Sequence, residues 1–437
     1  YLYNKILQSL PNTSDSKNQI LTDLNRDIEI SGILISKGLY SQSLNILKKI
    51  AARSLHNEYF LEYIKSLNLT KIALLNTIPN RRIIQVTTEL YDKIEFALKA
   101  FHEIQTASRL NNELIALVKE YGFGDVAKNN ENLKRLFSNE FYSSDKKLSV
   151  DARVYYYGDK FIYYSLQNDL ESAYEAAKRR AELVMKNQFY YEKYPICILS
   201  SLAELQTLLI ELGKDTEFKK YFEIFSALRF KDDMNRNYWF TEKYFLYTTW
   251  LVRKKYFENI PLVIVSFESD SANYDLKERY SSTSRFSLYF LFSYSLFVIG
   301  DYEKSLKWLN TIINNDFRDM TDSEFAVFRI LKLLVLHKLK SHILINSEIR
   351  SLRRFLTTNK NYSELGLALI KTIINFHQIK DSKLRRNELL SFRKLLTTNR
   401  TGSSYSEFSD KIDMVAWVDS ELNGSSMLSV LKSKKEN

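Results

Sequence analysis

Gly300-Asp301-Tyr302-Glu303-Lys304-Ser305-Leu306 is the stretch on which the fold turns. Gly300 can close one helix by adopting a left-handed backbone. Asp301 can open the next by accepting a backbone N–H on its carboxylate. Leu306 then begins an apolar stripe, continued by Leu309, Ile312 and Ile313 at helical spacing. The segment therefore reads as the bend of a helix pair. Similar starts occur at Asp169, Asp215 (after Gly213), Lys255 (before Tyr256), Ser341 and Asp381, and Gly38-Leu39-Tyr40-Ser41-Gln42-Ser43-Leu44 is an earlier relative. From Asp169 through Asp215, Lys255, Asp301, Ser341 and Asp381 the steps are 46, 40, 46, 40 and 40 residues. Two helices and two turns fill such a period, which predicts an all-α chain built as an α-solenoid of antiparallel helix pairs with a period of about 40 residues.

One pair shows the period directly. Leu352-Arg353-Arg354-Phe355-Leu356-Thr357-Thr358-Asn359 aligns with Phe392-Arg393-Lys394-Leu395-Leu396-Thr397-Thr398-Asn399, 40 residues on. The shared Thr-Thr-Asn reads as a helix end, with Asn in the left-handed position. Composition agrees. Among 437 residues there are 10 Gly and 4 Pro, too few turn formers for a β-sandwich or an α/β domain of this size. With 45% hydrophobic residues the chain can bury a large core. The other apolar stripes, Leu44-Leu47-Ile50-Ala51 and Ile94-Ala97-Leu98-Phe101-Ile104, are also helical.

The Gly300–Leu306 stretch resembles the turn and second-helix start of a tetratricopeptide repeat, with Ser305 at the family's small-residue position. Gly38, Tyr40 and Ser43 match similarly, as do Asp169 and Ala173. The resemblance implies a protein-interaction scaffold with no chemistry of its own. On this reading residues 1–140 form an N-terminal helical region with one such unit and a long helix. Residues 141–400 form the main array, and 401–437 a C-terminal capping helix and tail. The long helix is expected over Arg81–Tyr121, closed by Gly122 and Gly124.

Catalytic and metal-binding parts are wanting. Cys197 is the single cysteine, and Pro195-Ile196-Cys197-Ile198-Leu199 reads as a small buried hydrophobe in apolar surroundings. His56, His102, His337, His342 and His377 form no ligand spacing, and Gly122-Phe123-Gly124 is no phosphate loop. Asp232-Asp233 marks a loop rather than an acid pair. No enzyme activity, metal or cofactor is expected. Phe286–Ile299 is apolar, but a bilayer needs about 20 residues, so it reads as a core helix and no membrane insertion is expected. The aromatic clusters around Tyr155–Tyr157, Tyr163-Tyr164, Phe189–Tyr191 and Tyr238–Trp250 read as interhelical filling. Usage rich in Lys, Ile, Asn and Tyr points to a bacterial, cytoplasmic protein.

Charge marks one region. The net charge is +11, yet Arg329–Arg400 holds 16 Lys and Arg against four acids, +12 by itself. The 40-residue offset puts Arg353 and Arg354 in register with Arg393 and Lys394, with Arg350 one turn before and Arg385 and Arg386 earlier on the later helix. These seven residues are the candidate anion- or partner-binding face. The expected function is a non-catalytic scaffold for a protein or peptide partner, with an acidic partner at this end. The alternative is a nucleic-acid- or ribonucleoprotein-associated factor gripping phosphates there.

Overall fold

The computed structural model describes residues 19–128, 130–143, 145, 148–274, 282–314, 322–358, 363–379, 381–398 and 411–433. The fold is all-α, with no strand among the described residues. Contacts divide the chain into Tyr1–Tyr221 and Phe222–Asn437.

In the first unit the helices are α1 (Gln19–Ser36), α2 (Tyr40–His56), α3 (Phe60–Leu75), α4 (Asn80–Lys128), α5 (Asn130–Phe137), α6 (Val150–Leu166), α7 (Leu170–Lys186), α8 (Gln188–Lys193) and α9 (Pro195–Glu211). A further helix, α10 (Asp215–Ala227), contains the division. The second unit continues with α11 (Asp233–Arg253), α12 (Ile260–Ser271), α13 (Ser282–Ile299), α14 (Tyr302–Asn314), α15 (Asp322–Lys338), α16 (His342–Thr358), α17 (Ser363–Gln378), α18 (Ser382–Thr398), α19 (Met414–Asn423) and α20 (Met427–Ser433).

Among the described residues the helix-pair bend recurs in one backbone form. Gly38, Gly213 and Gly300 take φ of 75°, 68° and 91°. The following residue donates its N–H five residues back, as in Leu39 N to Leu34 O (2.8 Å), Lys214 N to Leu209 O (2.9 Å) and Asp301 N to Leu296 O (2.9 Å). This bond caps the last carbonyls of the first helix and turns the chain. Asn168, Lys255 and Lys340 occupy the same place with φ of 56°, 60° and 53°, and carry the same bond. An L-residue there costs about 1–2 kcal/mol, so packing of the two helices imposes the turn on these side chains.

Packing follows from the bend. Five residues beyond it lies a buried position: Ser43, Ala173, Phe218, Ile260, Ser305 and Ile345. In α1–α2 and α13–α14 it is a serine facing a serine seven residues before the bend. Ser43 Oγ donates to Ser31 O (3.1 Å), and Ser305 Oγ to Ser293 O (2.8 Å). Small hydroxyl side chains let these helices approach closely and hydrogen-bond what larger residues would cover. Asp169 and Asp301 cap as expected, accepting from Ser172 N and Lys304 N.

Within the first unit α1, α2 and α3 pack together, and α4 packs on α3 and α6. Phe60, Tyr63 and Leu67 of α3 meet Leu90, Ile94 and Ala97 of α4. Leu98 points away from this core and is 51% exposed. Glycine lowers helix stability by about 1 kcal/mol without breaking the ladder. The long helix accordingly runs through Gly122 and Gly124 to Lys128, past its expected end. The residue range 57–140 also holds a bend, at Glu58 (φ 52°), between α2 and α3. The expected boundary at 140/141 lies inside this unit.

Within the second unit α11 packs on α13, α13 on α14 and α15, α15 on α16, and α17 on α16 and α18. Asp232 is the N-cap of α11, accepting from Asn235 N (3.0 Å). Phe286–Ile299 lies in α13, with Leu288, Phe292 and Leu296 buried. No described helix is long and apolar enough to cross a membrane. Asn359 and Asn399, expected as helix-end caps, lie outside the described residues, as do residues 401–410.

Candidate functional site

The basic segment is distributed over α15 to α18. Arg350, Arg353 and Arg354 lie exposed on α16. Arg385, Arg386, Arg393 and Lys394 lie on α18, and both helices pack on α17. Their surroundings differ. Arg393 Nε donates to Asp419 Oδ1 (2.6 Å). Arg386 Nη1 donates to Leu422 O (3.2 Å). Arg385 donates to the Ile379 carbonyl, and its guanidinium lies 5.4 Å from the centre of the Phe376 ring. Arg350 Nε reaches only its own helix, at Asn346 O (3.3 Å). Lys394 is exposed.

Other cations of the segment are held internally. Buried Glu348 takes Arg329 on one oxygen and Lys332 on the other (3.5 Å). Glu421 takes Lys338 (2.6 Å). Two of the acids that meet the basic segment thus come from α19, beyond the stretch in which the excess was counted.

The C-terminal segment lies on several helices of the second unit. Trp417 of α19 is 1% exposed, with His337 of α15 and Phe392 of α18 against its ring at 6.1 and 6.4 Å. His337 also meets Phe376 of α17 (5.0 Å), so this histidine is a core residue. Asp413 caps α19 by accepting from Ala416 N (2.7 Å), and its own N–H reaches Tyr294 OH on α13 (3.3 Å). Further on, α20 packs on α13. Leu431 O accepts from Lys255 Nζ (2.8 Å), and Lys432 pairs with Glu258.

Between this segment and the helices is a cavity of about 450 Å³. Its walls come from α11 (Phe245, Thr249, Val252), α13 (Phe290, Leu291, Tyr294) and α15 (Val327, Phe328), with Phe257 below the bend and Leu431 from α20. These helices are the first members of three successive pairs. Tyr294 stacks on Phe290 (6.2 Å, 3° between planes), and Phe328 meets Phe290 edge-on (5.2 Å). Burial pushes the Tyr294 phenol above its ordinary value. Arg253, Lys255 and Lys411 join this apolar lining, with Asp413 as the one acid. With three cations against one carboxylate, the lining carries net positive charge as well as apolar surface. Sequence reasoning missed it. Its residues are dispersed between 245 and 431, and the aromatic run through Trp250 read as core filling.

In the first unit the buried polar groups hold helices together. Glu58, at the bend after α2, accepts from Val150 N (2.7 Å) and Asp151 N (2.9 Å), capping α6. Burial raises its carboxyl, opposed by those two bonds. Asp151 is also raised by burial, opposed by Lys193, whose Nζ is 2.8 Å away. Arg180 of α7 pairs with Glu204 of α9 and passes over Gly158 of α6. Cys197 is only half-buried, and burial pushes its thiol up, away from nucleophilic chemistry. The aromatic clusters behave as filling at Tyr156, Tyr157, Tyr190, Trp239 and Phe240, all buried. Among the described residues no three His, Cys, Asp or Glu come together as a metal site.

No protein-family model matches the chain, and no curated protein matches its sequence.

Proposed function

We propose that this chain is a non-catalytic helical-repeat scaffold, a tetratricopeptide-like α-solenoid, that binds a peptide segment of a partner protein in the cavity of its second unit. One observation carries the reading: α11, α13 and α15, the first helices of consecutive pairs, together line an apolar, aromatic cavity of about 450 Å³. Stacked repeats expose equivalent helices on one face, and such faces bind extended segments. The recurring left-handed bend supports the repeat architecture. Stiff aromatic walls suit peptide side chains, because little conformational freedom is lost on contact.

The nucleic-acid reading has the local +12 behind it and less else. Arg329, Lys332, Lys338 and Arg393 are spent on Glu348, Glu421 and Asp419. Of the seven candidate residues, Arg393 is thereby paired with an acid, and Arg385 and Arg386 donate to the Ile379 and Leu422 carbonyls.

A photo-crosslinking amino acid placed at Thr249, on the cavity wall, tests the proposal in nuclease-treated extract of the source cells. The expected product is a crosslink to one defined peptide segment, lost in the cavity-filling variant Leu291→Trp. Crosslinking that occurs only from position 353 or 394, and disappears with nuclease, would replace the scaffold by the nucleic-acid factor.

A further inference from the structure

We infer that α16 and α18 present the second unit to an anionic lipid surface, with their exposed aliphatic side chains among the headgroups and the neighbouring cations on the lipid phosphates. The inference goes beyond the peptide-binding reading and does not depend on it.

Helix geometry defines the face. Positions i, i+4, i+7 and i+11 fall within about 60° of one another around a helix. In α16 they are Ile343, Ser347, Arg350 and Arg354, all exposed, with Leu352 and Leu356 buried on the opposite side. In α18 the same positions, 40 residues on, are Lys383, Asn387, Leu390 and Lys394, opposite buried Phe392 and Leu396. Each row sets an aliphatic side chain among cations. Ile343 is 85% exposed, on the side of α16 away from the core. Leu344 and Leu384, beside the rows and again 40 residues apart, are each half exposed. Among the described residues, every exposed Leu, Ile or Val of the second unit lies on a second helix of its pair: α12, α16 or α18. Apolar side chains grouped in this way mark a contact surface, where scattered ones would not.

Charge selects the partner. Arg350, Arg353, Arg354, Lys383, Arg386 and Lys394 are exposed on the two helices. Of the acids there, Glu348 is buried on Arg329 and Lys332, and Glu388 is half-buried. Asp381, just before α18, is exposed but caps that helix, accepting from Lys383 N (2.7 Å) and Leu384 N (3.3 Å). A negatively charged layer therefore meets six exposed cations and one exposed carboxylate.

A nucleic acid also offers phosphates, but it leaves the aliphatic half of this face unused. Its bases would need aromatic platforms. No Phe, Tyr or Trp is exposed among the described residues of α16 and α18, where Phe355 is half-buried and Phe392 buried. A headgroup layer uses both halves. Ile343 and Leu390 leave water, while Lys and Arg stems lie beside them and carry their charges to the phosphates.

The test is flotation of the nuclease-treated full chain with vesicles of phosphatidylcholine alone, or of phosphatidylcholine and phosphatidylglycerol in equal parts. The chain should float with the anionic vesicles only, and less as salt rises. Arg350→Gln with Lys394→Gln removes two cations at roughly fivefold each, so partition should fall about 25-fold. Ile343→Ser with Leu390→Ser keeps the charge and should lower partition at least about tenfold. All four side chains are exposed, and unchanged circular dichroism verifies that both variants fold. Leu291→Trp, which fills the cavity, should float like the wild type. Its loss of flotation would put the lipid in the cavity and overturn the inference. Undiminished flotation of the Ile343→Ser, Leu390→Ser variant overturns it as well, leaving charge alone. Failure to float with either vesicle also overturns it, and retention of an RNA oligonucleotide in that case gives the face to nucleic acid.

Discussion

Asp159 gives the sharpest stability prediction. It sits on α6 with no exposed surface, accepting from Asn111 Nδ2 and Tyr142 OH, each at 2.7 Å. Burial pushes its carboxyl up to about 6 from 3.8, although both donors and nearby Arg180 oppose the shift. A carboxyl raised on folding contributes stability that is complete below about pH 4 and is lost as pH climbs through about 6. A shift of roughly two units is worth about 3 kcal/mol by pH 7. Asp159→Asn removes that titration. The amide oxygen can still accept from Asn111, and its NH₂ can donate to the Tyr142 oxygen. The variant should match the wild type near pH 4 and exceed it by about 1–3 kcal/mol at pH 7, the range reflecting two weakened hydrogen bonds. Glu58 and Asp151 are raised in the same direction, so the variant keeps a shallower slope of the same sign. Trp239, Trp250, Trp308 and Trp417 all lie in the second unit, so indole fluorescence does not report on α6. Hydrogen exchange of α6 peptides across a urea series, at pH 4, 5.5 and 7, does. Identical pH profiles for variant and wild type would refute the reasoning, as would a variant weaker at pH 7.

Three further substitutions follow from the packing. Gly158→Ala brings a methyl to 3.3 Å from the Arg180 guanidinium. It should cost about 1–2 kcal/mol despite alanine's better helix propensity, read as faster exchange in α6 and α7. Lys193→Met leaves Asp151 buried without its cation, and should cost about 3 kcal/mol at pH 7 by urea denaturation followed by exchange, and less at pH 4 where Asp151 takes a proton. Trp417→Ala empties a site that is 1% exposed, and should lower second-unit stability by about 3–5 kcal/mol, seen in denaturation followed by the remaining indoles.

How far the sequence revealed this molecule depends on where each signal resides. The helix-pair bends were legible at Gly38, Gly213 and Gly300 from glycine itself, at Asn168 from the Asp169 cap that follows it, and at Lys255 and Lys340 from similar helix starts at the repeat spacing. The bend at Glu58 was not. Its side chain finds use in capping α6, 92 residues further on, and no local pattern records such a contact. The long helix was legible from its apolar stripe, but its end was misplaced because two glycines weaken a helix without terminating it. Charge counting found the basic segment. It could not find that Asp419 and Glu421 fold back onto Arg393 and Lys338, since that pairing exists only after α19 docks. The cavity left no motif, because each contributing residue is an ordinary apolar or basic residue in its own helix.

The fold-back of the last helices has a consequence for how the protein is made. Repeat arrays with only neighbour contacts can fold pair by pair as they leave the ribosome. Here Leu431 and Lys432 bond to Lys255 and Glu258, residues synthesised more than 170 positions earlier. At about 5–20 residues per second, α11 and α13 wait on the order of ten seconds or more for the segment that completes them. Their aromatic faces stand open to chaperones throughout that interval, and premature termination between α18 and α20 leaves those faces without the segment that covers them.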